Sequence, residues 1–343
     1  MAVYTTIDDP SAYFQVATYT GNATNRTITN DGNSDLQPDL IWFFNRASAG
    51  FDHYVYDSTR GVGKNLFPNT NAAEGSDTAQ ILAFNSDGFN LKNSGATNGN
   101  GNAIVAWQWN ANDGTTSTNS DGNGNDVTIQ VNSTSGMSIM KWTGTGNNTA
   151  TVGHGLGVKP HLIINKALEA SQNWSIAFPY VETAKLMAFN SNSAFFSASG
   201  MSSYNASTFV DGSGGSSEDY IAYCFKNIQG YSKIGTYTGN GNAVGTFVHT
   251  GFKPAFLITK NTQNSANWSI FDNERSVNRN QIDERAWLPG QTEQTSYPVD
   301  FLSNGFKIRQ TGSVFNTSGD TYIYAAFAEQ PFVTSTGIPC PAQ

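Results

Sequence analysis

The chain has 343 residues, a net charge of −8 and only 13% charged residues. That balance excludes the basic footprint of a nucleic-acid binder and the charge density of a solvating disordered tail. No window reaches the ~18 consecutive apolar residues of a membrane span, and residues 1–10 have neither the basic nor the apolar region of a secretory signal.

Residues 1–13 read as an arm with no core of its own, able to order by adding a strand to another protein. Tyr4 and Tyr13 are its candidate partner contacts. From residue 14 the chain repeats one pattern in three diverged copies, each opening on an aromatic-Thr-Gly step. A proline and an apolar run follow, then a hairpin and a strand with an aromatic end. Repeat one (14–111) opens at Tyr19-Thr20-Gly21 and continues through Pro38-Asp39-Leu40-Ile41-Trp42 and His53-Tyr54-Val55-Tyr56-Asp57. Its hairpin is Asn85-Ser86-Asp87-Gly88, where a tight turn calls for positive φ. It closes on Ile104-Val105-Ala106-Trp107-Gln108-Trp109. Residues 112–126, rich in Asn, Gly, Ser and Thr, have the composition of a flexible linker, which predicts a first repeat free to swing.

Repeat two (127–227) has Trp142-Thr143-Gly144, Pro160-His161-Leu162-Ile163-Ile164 and Asn173-Trp174-Ser175-Ile176, and closes on Tyr220-Ile221-Ala222-Tyr223-Cys224-Phe225. Asn192-Ser193 replaces the glycine turn, so a wider connection is expected there. The short join at 228–231 predicts close docking with repeat three (228–332). That copy has Tyr237-Thr238-Gly239, Pro254-Ala255-Phe256-Leu257-Ile258, Asn267-Trp268-Ser269-Ile270, Asn304-Gly305 and Tyr322-Ile323-Tyr324-Ala325-Ala326-Phe327. A tail spans 333–343. Proline to last aromatic takes 71, 65 and 73 residues (38 to 109, 160 to 225, 254 to 327). The prolines are expected to open their strands, where the missing N–H costs least. Helical periodicity is nearly absent, and short strands with frequent turn signals predict an all-β chain. The expected architecture is three tandem antiparallel β-sandwich domains of jelly-roll or lectin-like type.

Little in the sequence points to chemistry. His53, His154, His161 and His249 sit in no metal-ligand spacing. Asp121, Asn123 and Asn125 have the spacing of the first calcium-loop ligands, but Asp126 stands where that loop turns on glycine and Asn132 where a bidentate Glu belongs. Glutamates 74, 169, 218 and 284 occupy unrelated contexts, and no nucleophile elbow, phosphate loop or dinucleotide fingerprint occurs. The expectation is a chain that is not an enzyme and uses neither metal nor cofactor. Cys224 and Cys340 do not read as a pair. Trp287, in an insert peculiar to repeat three, is the third candidate contact.

Longer runs resemble a known group. Asp219-Tyr220-Ile221-Ala222-Tyr223-Cys224-Phe225, Gly230-Tyr231-Ser232-Lys233-Ile234-Gly235-Thr236-Tyr237-Thr238-Gly239 and Phe301-Leu302-Ser303-Asn304-Gly305-Phe306-Lys307-Ile308-Arg309 resemble a family of bacteriophage virion proteins of the marine and cyanobacterial-phage type. Tyr322 to Glu329 and Tyr4 to Gln15 are similar to it too. Its members carry tandem concanavalin A-like, lectin-like β-sandwich domains. The resemblance implies a structural protein of the virion surface, assembled in the host cytoplasm. A tail-fibre or appendage role in host attachment comes first, with a capsid decoration protein and a polysaccharide-degrading virion enzyme as alternatives. Implied partners are other virion proteins and host-surface glycan, without nucleic acid or membrane insertion. Fibre analogy adds homo-oligomerisation, a trimer above all, with residues 1–13 as anchor and repeat three as distal tip.

Overall fold

A computed structural model describes residues 4–47, 50–76, 80–197, 200–212, 216–276, 278, 280–312 and 314–341. The described chain is all-β with several antiparallel sheets. Helix is confined to a turn at Gly95–Asn98 and a 3-10 turn at Pro10–Ala12.

The three repeats share one strand order. Repeat one pairs Phe14–Thr20, Ala103–Trp109, Leu40–Asn45 and Tyr54–Asp57 in that spatial sequence. Repeat two does so with Met137–Thr145, Ser216–Phe225, Leu162–Ala167 and Ser175–Phe178. Repeat three uses Ser232–Thr238, Thr321–Pro331, Phe252–Asn261 and Trp268–Asp272. Register makes the copies superimposable: Leu40 faces Trp109, Leu162 faces Phe225 and Phe256 faces Phe327. Equivalence then follows along each strand, so His53 corresponds to Trp174 and Trp268, and Trp107 to Tyr223 and Ala325.

Side chains alternate across a strand, and here both faces of each sheet are buried. In repeat one Ile41, Phe43, Tyr56, Ile104 and Ala106 pack on Ile28, Ile81, Phe89 and Leu91 of a three-stranded sheet. The alternate residues Leu40, Trp42, Phe44, Val105, Trp107 and Trp109 point the other way. There they join Leu162, Ile164, Tyr223, Phe225, Phe256, Ile258 and Phe327 in one core common to all three repeats. Continuous apolar runs such as Leu40-Ile41-Trp42-Phe43-Phe44 are the sequence form of a strand buried on both sides. The expected swing of repeat one is therefore absent, because releasing it would expose Trp42, Trp107 and Trp109, each under 7% accessible.

Other expectations change in detail. Within 112–126, Ser117–Asn119 forms an edge strand on Val127–Asn132, so part of the expected linker is ordered by pairing. Ile7 of the arm is buried in the central core, Tyr4 Oη donates to Gly251 O at 2.8 Å, and Thr5 Oγ1 donates to Gln229 O at 2.8 Å. The arm thus lies on repeat three, because its own apolar residue finds a core within the chain. Pro254 sits inside the Phe252–Asn261 strand, not at its start, and the register shifts around it let the ladder pass a residue without an N–H. Gly88 has the positive φ its turn demands, at 89°. Gly305 does not. It is required for space, since a Cβ there would strike the Val248 carbonyl, as one at Gly88 would strike that of Ile28. Asn192-Ser193 lies in a wide connection, 188–195, between the antiparallel strands Glu182–Met187 and Phe196–Ser197, and this loop reaches repeat three, where Ala266 N donates to Asn192 O at 2.9 Å. Both cysteines are free and buried.

Candidate functional site

The repeats close a ring in one rotational sense, and polar atoms buried at the seams show the direction. Asp57 Oδ2 of repeat one accepts the Tyr223 hydroxyl of repeat two at 2.7 Å. Asp272 Oδ2 of repeat three accepts Trp107 Nε1–H of repeat one at 2.9 Å. Tyr223 and Trp107 are equivalent positions, as are the two aspartates. Each aspartate binds the arginine three residues on, Arg60 or Arg275, at 2.5 Å. Each arginine reaches a glutamate, Glu74 at 3.2 Å or Glu293 at 3.1 Å. At the seam between repeats two and three the same positions hold Phe178, Val181 and Ala325. Phe178 and Ala325 face the apolar central cavity of about 40 Å³, which Trp42 and Trp109 of repeat one also line.

A second cycle runs through the matched aromatic position. Trp174 Nε1 donates to Phe67 O of repeat one at 2.9 Å, and Trp268 Nε1 donates to Ala188 O of repeat two at 2.8 Å. His53 completes the set: its ring faces the Trp287 and Gly290 carbonyls of repeat three, though Nε2 stops short of a normally formed hydrogen bond. Its Nδ1 accepts Trp42 Nε1–H at 3.0 Å. Burial, reinforced by the Arg275 charge and opposed by those carbonyls, pushes the imidazole down to about 3. It is held neutral as a seam residue.

The remaining polar features are turn braces. His154 is buried, with Nε2 3.2 Å from Asn205 O and Nδ1 accepting Leu156 N–H, while His249 is exposed on its strand. His161 stacks on Tyr180 with centroids 4.2 Å apart. The calcium-like run is engaged elsewhere: Asn123 Oδ1 accepts Thr151 N–H and Asn125 Nδ2 donates to Thr143 O. Among the described residues no group of three His, Cys, Asp or Glu side chains is placed to hold a metal.

An open groove of about 500 Å³ lies where the arm ends on repeat one. Ala12, Tyr13, Asp35, Gln37, Ser86, Asn110, Asp113 and Asn132 line it. Its floor is fixed from behind. The buried Asp39 carboxylate accepts the N–H groups of Ala111, Asn112 and Gly114 at 2.8, 2.8 and 2.7 Å and the Ser58 hydroxyl at 2.6 Å. Asn110 donates to Gln37 O at 3.0 Å and Asp113 Oδ1 at 2.6 Å, while its Oδ1 accepts from Asn132. Asp39 follows the strand-opening proline, so the repeat pattern itself places this clamp.

A model for the family described as Domain of unknown function (DUF7483) matches residues 9–331. The chain belongs to that family. No curated protein and no solved structure matches it. The DUF7483 match runs through all three repeats as one unit, as the shared core does.

Of the three contacts expected from sequence, only Tyr13 lines the groove. It is half-buried and packs edge-on against Tyr231 at 5.9 Å. Tyr4 is held against Gly251 and Phe332. Trp287 is half-buried on the edge strand Ala286–Leu288, its ring so close to Gly290 that a Cβ there would overlap it. The seam clusters escaped notice in the sequence, although Asp57-Ser58-Thr59-Arg60 and Asp272-Asn273-Glu274-Arg275 share Asp-x-x-Arg at one repeat position. With only 18 Lys and Arg in the chain, that coincidence was the available signal.

Proposed function

We propose that this DUF7483 chain is a structural protein of a bacteriophage virion surface, built from three β-sandwich repeats and serving an appendage that contacts the host. The observation that carries this reading is the shared core. Three copies of one strand pattern are wound into a single body whose seams are closed by buried bonds. Such a body suits load-bearing and the presentation of loops. The sequence resemblance to phage virion proteins supplies the biological setting, and fold alone does not. The arm packed on repeat three leaves the body free to dock through other surfaces.

The test is location. Gold-labelled antibody against the purified protein is applied to intact particles of a phage encoding it and imaged. Label at the tail or its fibres supports the appendage reading. Label over the head replaces it with capsid decoration, and particles without label overturn the virion reading altogether.

A further inference from the structure

We propose that the groove at Tyr13 is a binding site for neutral carbohydrate, formed where the arm, repeat one and the start of repeat two meet and not by the insert of repeat three. The inference rests on the host-contact reading for its purpose, but on the groove alone for its chemistry. The other cavities do not compete for a large external ligand. The central one is apolar, lined by core residues and about 40 Å³. The cleft between repeats one and two is occupied by its own ion pairs, Lys64–Glu74 at 2.8 Å and Lys141–Asp219 at 2.7 Å. The cleft at Gln15 and Asn273 is about 110 Å³.

The Tyr13 groove, at about 500 Å³, falls within the size range of small-molecule sites, roughly 300–1,000 Å³. Its lining combines one aromatic ring with carboxylates and amides and contains no cation. That combination selects the ligand. An aromatic face with a polar tip accepts the C–H face of a pyranose. The exposed carboxylates of Asp35 and Asp113 accept hydroxyl hydrogens in charge-assisted bonds. The same two charges repel uronic or sialic acids, whose carboxylates would find no Lys or Arg in the lining. Pre-organisation favours binding, since Asp39 and Asn110 hold the floor and little ordering remains to oppose association.

The experiment uses the full chain and isothermal titration with neutral hexose oligosaccharides, uronic-acid oligosaccharides and spermidine as probes. Neutral oligosaccharides are expected to bind, and the acidic ones to bind at least tenfold more weakly. Tyr13→Ala should weaken neutral-sugar binding by about tenfold or more, equivalent to about 1.4 kcal/mol. Because Tyr13 also packs on Tyr231, the exposed Asp35→Ala variant is measured beside it, with unfolding midpoints checked for both. No binding of any neutral sugar, equal or better binding of the acidic ones, preference for spermidine, or unchanged affinity in folded Asp35→Ala and Tyr13→Ala overturns the site. Particle labelling is independent of these titrations, so failure of the groove leaves the virion reading standing, and the reverse.

Discussion

Replacing Asp57 by alanine should cost more than rebuilding its whole seam in the image of the neighbouring one. Asp57 is fully buried, and its carboxylate holds Arg60 at 2.5 Å and the Tyr223 hydroxyl at 2.7 Å. The Arg60 side chain is only 1% accessible. Asp57→Ala leaves that guanidinium in the core with Glu74 at 3.2 Å as its remaining carboxylate, and it leaves the Tyr223 hydroxyl, which still accepts from Arg60 Nη2 at 3.4 Å, without an acceptor for its own proton. Breaking a buried pair costs about 3–5 kcal/mol. Retention of Glu74 puts Asp57→Ala near the lower end, at about 3 kcal/mol. The triple variant Asp57→Phe, Arg60→Val, Tyr223→Ala installs the residues found at Phe178, Val181 and Ala325. It removes every charge and donor of the cluster except Glu74, which keeps Lys64 at 2.8 Å. A buried pair replaced by apolar groups of matching volume is often close to neutral, so the triple variant should lose no more than about 1–2 kcal/mol. Guanidinium unfolding followed by tryptophan fluorescence measures both, with unchanged m-values as the condition for comparing midpoints. A triple variant less stable than the single one, or an Asp57→Ala within 1 kcal/mol of the parent, refutes the reasoning.

Three further outcomes follow from the same packing. A fragment of residues 127–227 exposes Leu162, Ile164, Ile176, Phe178, Tyr223 and Phe225, all core residues in the whole chain; it should bind the dye ANS and lack a sharp near-ultraviolet spectrum, and a soluble, cooperatively folding fragment would count against a shared core. His53 is lowered from 6.5 to about 3, so between those values the unfolded chain binds the extra proton and stability falls with pH, by at most about 4 kcal/mol from this residue; the stability–pH slope between pH 6 and 4 should flatten in His53→Gln, and identical slopes would remove His53 from the account. Gly88→Ala combines a φ of 89° with a collision at Ile28 O and should cost about 2 kcal/mol or more, whereas Gly61→Ala, with φ 90° and open space, should cost about 1 kcal/mol; equal losses in thermal unfolding would show that space at the turn does not matter.

The strands were legible because their signals are local. Apolar runs after each proline, the Asp87-Gly88 turn and the matched closing strands each report a few neighbouring residues, and the structure places strands at Leu40–Asn45, Leu162–Ala167 and Ala103–Trp109. What the runs meant was less legible. Five consecutive apolar residues at 40–44 fit a strand buried on two faces, but composition does not say what covers the second face. Asn, Gly and Ser at 112–126 read as a loose connection because backbone pairing at Ser117–Asn119 leaves little trace in those side chains. The groove was half legible: Tyr13 stood out as an aromatic at the end of an arm. Of the residues completing it, Asn110 and Asp113 sit in the segment that the Asp39 clamp holds, and Asn132 joins them across the sequence by donating to Asn110.

The unequal seams have a physical reason in how the chain connects the repeats. Repeats two and three are joined within 228–231, where Ile228 and Ser232 bridge and the Asn227 side chain takes both the N–H and the O of Ile234. That join fixes their docking without charge, and Phe178 with Ala325 suffices. Repeats one and two are separated by residues 112–126, and repeats three and one have no direct connection. At both seams a buried Asp-Arg-Glu set meets an aromatic donor from the facing repeat, which penalises any other docking by leaving charge unpaired. We expect, as a hypothesis, that the two kinds of seam respond differently to cutting. A protease site inserted near Gly122 and cleaved in the folded protein should leave the N-terminal fragment bound, since two charge-paired seams hold it. The same cut near Gln229 should free the C-terminal fragment at higher protein concentration, since one of its seams is apolar. Gel filtration of the cleaved proteins across a dilution series reads the order of release, and earlier loss of the N-terminal fragment would sink the idea.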